Sequence, residues 1–221
     1  MVLLRAIIIA SLCILPAHAA TVQQVIDGTT VQLDDGQVVS LAGIVGANTA
    51  QLEKVVAGKT LTLAPPLPHN RYGQAVGILL LPDGTSVQSV LVAAGQAYVF
   101  TLPETAALAA TLLPVERAAR AARKGRWASD FKINKADYVP YGGFAIVEGK
   151  VAAVASVKGT TYVNFGADWK TDFTVSMSGT LARTLKPKLW AGKVIRVRGW
   201  VQNKNGPHVT VTHAEQVELI P

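Results

Sequence analysis

Three carboxylates stand close together early in the chain, Asp27, Asp34 and Asp35, and such a group raises the prospect of a held cation or a general base. Asp34-Asp35-Gly36 has a sufficient reason in a tight turn. Asp27 alone is a poor cage for calcium, which takes about 6–8 oxygen ligands. His208 and His213 are five apart in a strand-like stretch, so they point to opposite faces, and with His69 they give no zinc spacing. Ser40, Ser86 and Ser89 lie outside any nucleophile-elbow context, and no glycine-rich phosphate loop is present. These residues call for no metal and no cofactor.

Cations beside aromatic rings are the more promising chemistry, because they pair with phosphates while stacking a sugar or base. Arg71-Tyr72 is one such pair. In the run from Lys193 to Val201, period two places Arg196, Arg198 and Trp200 on one face and Ile195, Val197 and Val201 on the other. The second set is core. The first set presents two cations and a ring to a polyanion, with Tyr162, Asn164 and Trp169 extending it and Lys186, Lys188 and Lys204 adding charge. The competing assignment covers Trp200 with the linker or the other half of the chain and lays the arginines over it.

The elements that must position these groups fall into two sets. Val31 and Leu33, the Asp34-Asp35-Gly36 turn, then Val39 and Leu41 predict a hairpin. Strands are expected at 60–63 and 76–81, and Val87, Val90, Leu91 and Ala94 follow helical spacing up to a Gly95 cap. Thr101 and Glu104 have capping-box spacing, and Leu108, Leu112, Val115 and Ala119 trace one face of a long helix running to Gly125, with a kink or break expected at Pro114. The basic cluster Arg117, Arg120, Arg123, Lys124 and Arg126 near its end suits a helix C-terminus. Residues 129–144 lose periodicity and read as a linker. Strands are then expected at 146–154, 160–165, 173–177, 194–201 and 209–212, with a short helix near 180–188, the pattern of a small five-stranded OB-type barrel.

Arg5, the apolar run from Ala6 to Leu15, Pro16 and Ala17-His18-Ala19 have the form of a secretory signal peptide, and the run is too short to span a bilayer. Cleavage after Ala19 removes the single cysteine, Cys13, so the exported chain, periplasmic or secreted, must hold together by its core without disulfides. Cys13 follows Leu12, where a lipid-attachment site would want a small residue. No later run reaches spanning length. Residues 20–140 hold ten Lys or Arg against nine Asp or Glu, whereas 141–221 hold ten against five, so the basic character belongs to the second half.

The first half carries Val25-Ile26-Asp27-Gly28, Ser40-Leu41-Ala42-Gly43-Ile44, Asn70-Arg71-Tyr72-Gly73-Gln74, Leu91-Val92-Ala93-Ala94-Gly95-Gln96-Ala97 and Arg123-Lys124-Gly125-Arg126-Trp127. In these motifs, their order and their spacing it resembles the thermonuclease family, the staphylococcal-nuclease-like domains. The resemblance implies an OB-type barrel with two or three packed helices over residues 20–128; together with the linker 129–144 and the second OB-like barrel over 145–221 read from the strand pattern, the expected fold is α+β, mainly β with helices. The order of these two parts also resembles a group of exported bacterial thermonuclease-like proteins.

In that family a calcium ion held by two aspartates, a water-activating glutamate and two phosphate-holding arginines cut a phosphodiester, concentrating positive charge where negative charge develops. Carried over residue by residue, the aspartates fall on Thr29 and Val45, the glutamate on Asn48 and the arginines on Ser40 and Gln74, all uncharged. A positioned base contributes about 10²–10⁴-fold and one preorganised donor about 10²–10³-fold, so losing all of them removes nearly the whole acceleration. Arg71 and Tyr72 match positions that hold the nucleotide outside the reaction centre.

The chain is therefore expected to be an exported, noncatalytic thermonuclease-like protein that binds single-stranded nucleic acid or another polyanion. A protein-interaction or structural module with an envelope partner is the second class. A weak metal-dependent phosphodiesterase with rearranged ligands is the third.

Overall fold

A computed structural model describes residues 18–64 and 67–221. Most of the expected signal peptide lies outside the described residues. His18–Asp27 (β1), Thr30–Leu33 (β2) and Val38–Leu41 (β3) form a meander, followed by Ile44–Val45 (β4), helix Thr49–Val56 (α1) and Thr60–Leu63 (β5). Leu67–His69 (β6), Ala75–Gly77 (β7), Leu79–Leu80 (β8), helix Val87–Ala93 (α2), Tyr98–Val99 (β9) and helix Leu108–Ala121 (α3) complete the first half. Seven strands run in the order β6-β7-β3-β2-β1-β5-β8, with β3 and β7 parallel, and β4 pairs with β9. Alternation places Val31, Leu33, Val39 and Leu41 inward, where they meet Leu52, Leu61, Leu79, Leu91 and Leu112 in one core.

The second half begins at Ile133–Lys135 (β10) and continues through Phe144–Lys150 (β11), Ala153–Val157 (β12), Thr160–Asn164 (β13), Thr174–Ser178 (β14) and helix Gly179–Leu185 (α4). Val194–Trp200 (β15), Gln202–Asn203 (β16), Pro207–Val211 (β17) and Val217–Ile220 (β18) follow. One sheet has the order β10-β11-β15-β18 and the other β12-β13-β14-β17-β16, with β14 and β17 parallel. Val147, Val163, Phe173, Val175, Ile195, Val197 and Val209 fill the space between them. The protein is thus an α+β fold, mostly sheet, with four α-helices among the described residues.

Several expectations change. The long strand at 146–154 is split near Val151, whose N–H reaches Lys193 while that of Ala152 reaches Asn164, so the chain passes there from one sheet to the other. The segment 129–144 is more than a connection, since β10 pairs in parallel with β11. The Thr101–Glu104 capping box is not made: Thr105 Oγ1 accepts the Leu102 N–H at 2.8 Å, and Thr101 Oγ1 meets His213 Nε2 at 2.8 Å. Pro114 lies within α3, which continues through it. Pro114 is exposed, as is Ala110, whose carbonyl loses its helical partner, so the orphan acceptor is not trapped in the core. That helix ends earlier than Gly125, with Arg123 in the left-handed region at φ +51° and Lys124 N–H returning to the Ala119 carbonyl.

Candidate nucleic-acid interface

The turn after β1 decides how the first candidate site is built. Asp27 Oδ1 accepts the Thr29 N–H at 2.7 Å and the Thr29 hydroxyl at 3.1 Å, which spends that carboxylate on its own turn. The Thr29 carbonyl in turn accepts the Leu41 N–H at 2.7 Å. Gly28 presses against the backbone of Ala47 and Asn48, so closely that a Cβ would lie 2.8 Å from the Asn48 nitrogen. Asn48 is the N-cap of α1, and its Oδ1 accepts the Gln51 N–H at 2.9 Å. Ser40 sits on β3 between Thr30 of β2 and Val76 of β7. Strand register and the Gly28 contact thereby gather Thr29, Ser40 and Asn48. Gln74 immediately precedes β7 and is held by Asn70, and Val45 pairs with Tyr98 on the separate β4–β9 ladder.

The loop before β7 is organised by Asn70. Its Oδ1 accepts the N–H groups of Tyr72 and Gln74 at 2.9 and 3.1 Å, and its Nδ2 donates to Gln74 Oε1 at 2.7 Å. This clasp leaves Tyr72 70% exposed, with the Arg71 guanidinium 4.9 Å from its ring centre. Calcium does not fit the donors present, because Asp27 is turned to its own loop and Val45 offers no oxygen from its side chain. Among the described residues no group of three or more His, Cys, Asp or Glu side chains is placed to hold a metal ion.

The second candidate site is rearranged. Arg196, Arg198 and Trp200 do share a face of β15, but that face is not a free cationic surface. Arg198 is 2% exposed and pairs with Glu116 of α3 at 3.0 Å and with Glu218 of β18 at 2.8 Å. Its Nη1 also donates to the Val99 carbonyl at 2.7 Å. Burial alone would lower its pKa, yet the charge and hydrogen bonds of Glu116, with those of Glu218, raise it above the ordinary arginine value. Arg196 donates to Glu148 at 2.6 Å. Trp200 is half exposed, its ring 6.4 Å from Phe100 and 6.2 Å from Phe144. The expected two-cation platform is therefore corrected: both guanidiniums are neutralised within the molecule.

Three cations of the basic cluster around the end of α3 are similarly committed, while Arg123 and Lys124 are exposed. Arg117 bonds Glu218 at 3.2 Å, and Arg120 lies over the Trp127 ring. Arg126 bonds Asp130, the Gly46 carbonyl and the face of Phe131. Glu116, fully buried, ties this helix to β9 by accepting the Val99 N–H at 2.7 Å. Sequence reading missed it, although a glutamate at the i+4 position from Leu112 on the apolar face was the available signal.

Residues 46–129 match the model of the Staphylococcal nuclease homologue family. The match contains Asn48, Arg71, Tyr72 and Gln74 and begins just after Thr29, Ser40 and Val45. Two proteins named "Uncharacterized endonuclease", from Escherichia coli O157:H7 and from Escherichia coli, are each 29% identical to this chain over 119 residues, covering 48% of this chain and 74% of the relative.

Proposed function

We propose that this chain is an exported, noncatalytic thermonuclease-like protein that binds nucleic acid or another polyanion. The observation that carries the reading is the local employment of the five matched positions: Thr29 closes the Asp27 turn, Asn48 caps a helix, Gln74 closes the Asn70 loop, and Ser40 and Val45 are strand residues. Uncharged side chains committed in this way supply neither a metal cage nor a phosphate clamp. Arg71 and the exposed Tyr72 keep the means to contact a nucleotide, and the net charge of +7, or +6 once Arg5 leaves with the signal segment, favours an anionic ligand. We read each half as an OB-type unit, the second on the strength of its parallel β14–β17 pair and the antiparallel β11–β15 pair. Export rests on Arg5, the apolar run and Ala17-His18-Ala19. Among the described residues no helix is long and apolar enough to cross a membrane.

A second reading, an interaction module for an envelope protein, draws on Tyr138, Tyr141 and Trp200, which are exposed by 79%, 54% and 51%. The purified protein is assayed for cleavage and for single-strand binding in matched buffers containing calcium or chelator. Binding in both and cleavage in neither is the expected result. Turnover abolished by chelator overturns the noncatalytic reading, and absence of binding to any polyanion favours the interaction module.

A further inference from the structure

A groove of about 410 Å³ lies on the side of β13 and β14 that faces away from the second core. Its floor follows from strand register. Asn164 lies opposite Thr174, and Thr174 opposite His208, while one row along Tyr162 lies between Ala155 and Ser176. Directly paired residues share a face, so these groups are brought together by the ladder itself. Asn164 Oδ1 accepts the Thr174 hydroxyl at 3.1 Å, while its Nδ2 has no partner among the described residues. The buried His208 meets Ser176 Oγ through Nε2 at 2.8 Å, and burial, reinforced by Lys204, lowers its pKa, which leaves the floor uncharged at neutral pH.

The walls are held before any ligand arrives. One is the loop carrying Trp169, where Asp172 Oδ2 accepts the Asp168 N–H at 2.6 Å and Asp168 Oδ1 accepts the Lys170 N–H at 3.0 Å. Trp169 is 55% exposed on this braced loop. The other wall is the turn between β16 and β17 with Lys204 and Asn205. There Gly206, at φ +86°, approaches the Thr171 backbone so closely that a Cβ would stand 2.7 Å from its carbonyl carbon. The two walls are packed on each other at that point.

We propose that this groove is a single-strand nucleic-acid site, stacking an unpaired base on Trp169 and Tyr162 and setting the adjoining phosphate beside Lys204. It deepens the nucleic-acid reading above and rests on it. The size suits one nucleotide, near the lower end of the roughly 300–1,000 Å³ of small-ligand sites. Aromatic rings with Lys204 on one wall, and with Lys170 Nζ 5.8 Å from the centre of the Trp169 ring, fit a base and its phosphate, and Asn164 and Asn205 offer amide groups to a base edge. No carboxylate lines the groove, which suits an anionic strand and gives a neutral glycan no charged acceptor for its hydroxyls. Bases inside a duplex are already stacked, so a double strand is not the ligand.

The test uses the whole chain and a fluorescently labelled decadeoxyadenylate, followed by anisotropy at several salt concentrations. Trp169→Ala is expected to weaken binding about tenfold and Trp169→Phe to restore most of it. Lys204→Ala should flatten the log–log salt dependence by about 0.7, the loss of one phosphate contact. Trp200→Ala should leave affinity unchanged. Trp169 is half exposed, so equal urea midpoints verify that the variants are folded. If an Arg71→Ala, Tyr72→Ala double variant abolishes binding while Trp169→Ala and Lys204→Ala do not weaken it, the groove proposal falls and the nucleic-acid reading stands on the first half alone. If the unaltered chain fails to bind the strand at low salt, both fall. Trp169-dependent binding of cellohexaose without binding of the strand overturns the proposal in favour of a glycan.

Discussion

Arg198 donates through Nη1 and Nη2 to the two carboxylate oxygens of Glu116, each at 3.0 Å, across 82 positions of sequence. The pair joins the long helix of the first half to a central strand of the second, with Arg198 at 2% exposure and Glu116 at 0%. Around it, Ala119, Trp127, Phe131 and Ile146 form a small apolar cluster of their own, and Tyr98 stacks on Phe131 at 3.7 Å. The two halves therefore share a packed and charged seam.

Removing one member of a buried ion pair leaves the other uncompensated, which costs about 3–5 kcal/mol. Arg198→Met is accordingly expected to lower stability by that order in urea denaturation. Arg198→Met combined with Glu116→Met should cost less than the sum of the single changes, because the stranded charge is gone. Additive losses would show that the two groups do not interact.

Stability should fall as pH drops below the ordinary histidine range. Burial lowers the pKa of His213, and burial followed by Lys204 lowers that of His208, both from 6.5. Between the folded and unfolded values the unfolded chain binds more protons, so stability rises with pH there and is lost on acidification through it. The urea midpoint at pH 5.5 is expected below that at pH 7.5, and His213→Gln should reduce the difference. A second loss belongs below about pH 4.5: burial would raise the Glu218 carboxyl, but Arg198 and then Arg196 hold it below its ordinary value of 4.5.

Gly28→Ala is expected to destabilise the first half by about 1–3 kcal/mol, because the added methyl enters the Ala47–Asn48 backbone. Asn48→Ala should cost about 1 kcal/mol through the lost helix cap, whereas Asn48→Asp keeps the acceptor and should cost little. Equal losses for Ala and Asp at this position, read from thermal midpoints, would contradict the cap.

N-terminal sequencing of exported protein is expected to begin at Ala20. Cleavage there trims His18 and Ala19 from β1, where they pair with Leu63 and Thr62, and leaves Ala20 buried opposite Leu61. Recovery of intact Met1 in a membrane fraction would contradict removal of residues 1–19.

Local pattern by itself determined much of the framework. The Asp34-Asp35-Gly36 hairpin, the inward alternation of Ile195, Val197 and Val201, and the α2 helix before Gly95 all follow from periods of 2 and 3.6 and from turn chemistry. The uncharged types at Thr29, Ser40, Val45, Asn48 and Gln74 were legible too, since residue identity needs no structure. Helix α1 was missed despite its signals, the Asn48 cap and Leu52 with Val56 on one face, because eight residues give a weak period.

What only the tertiary structure decided is which surface covers which. Period two correctly put Arg196, Arg198 and Trp200 on one face, but it cannot state whether that face meets water or another element. Here α3 and β18 bring Glu116 and Glu218 onto it, and the low dielectric of the seam turns a would-be phosphate ligand into an internal counterion. Tyr162, Trp169 and Lys204 were expected to extend the β15 face, but they line a groove on the other sheet, where the parallel β14–β17 pairing sets His208 beside Thr174. Charge neutralisation and exposure are properties of contacts between distant segments, and a linear pattern carries no record of them.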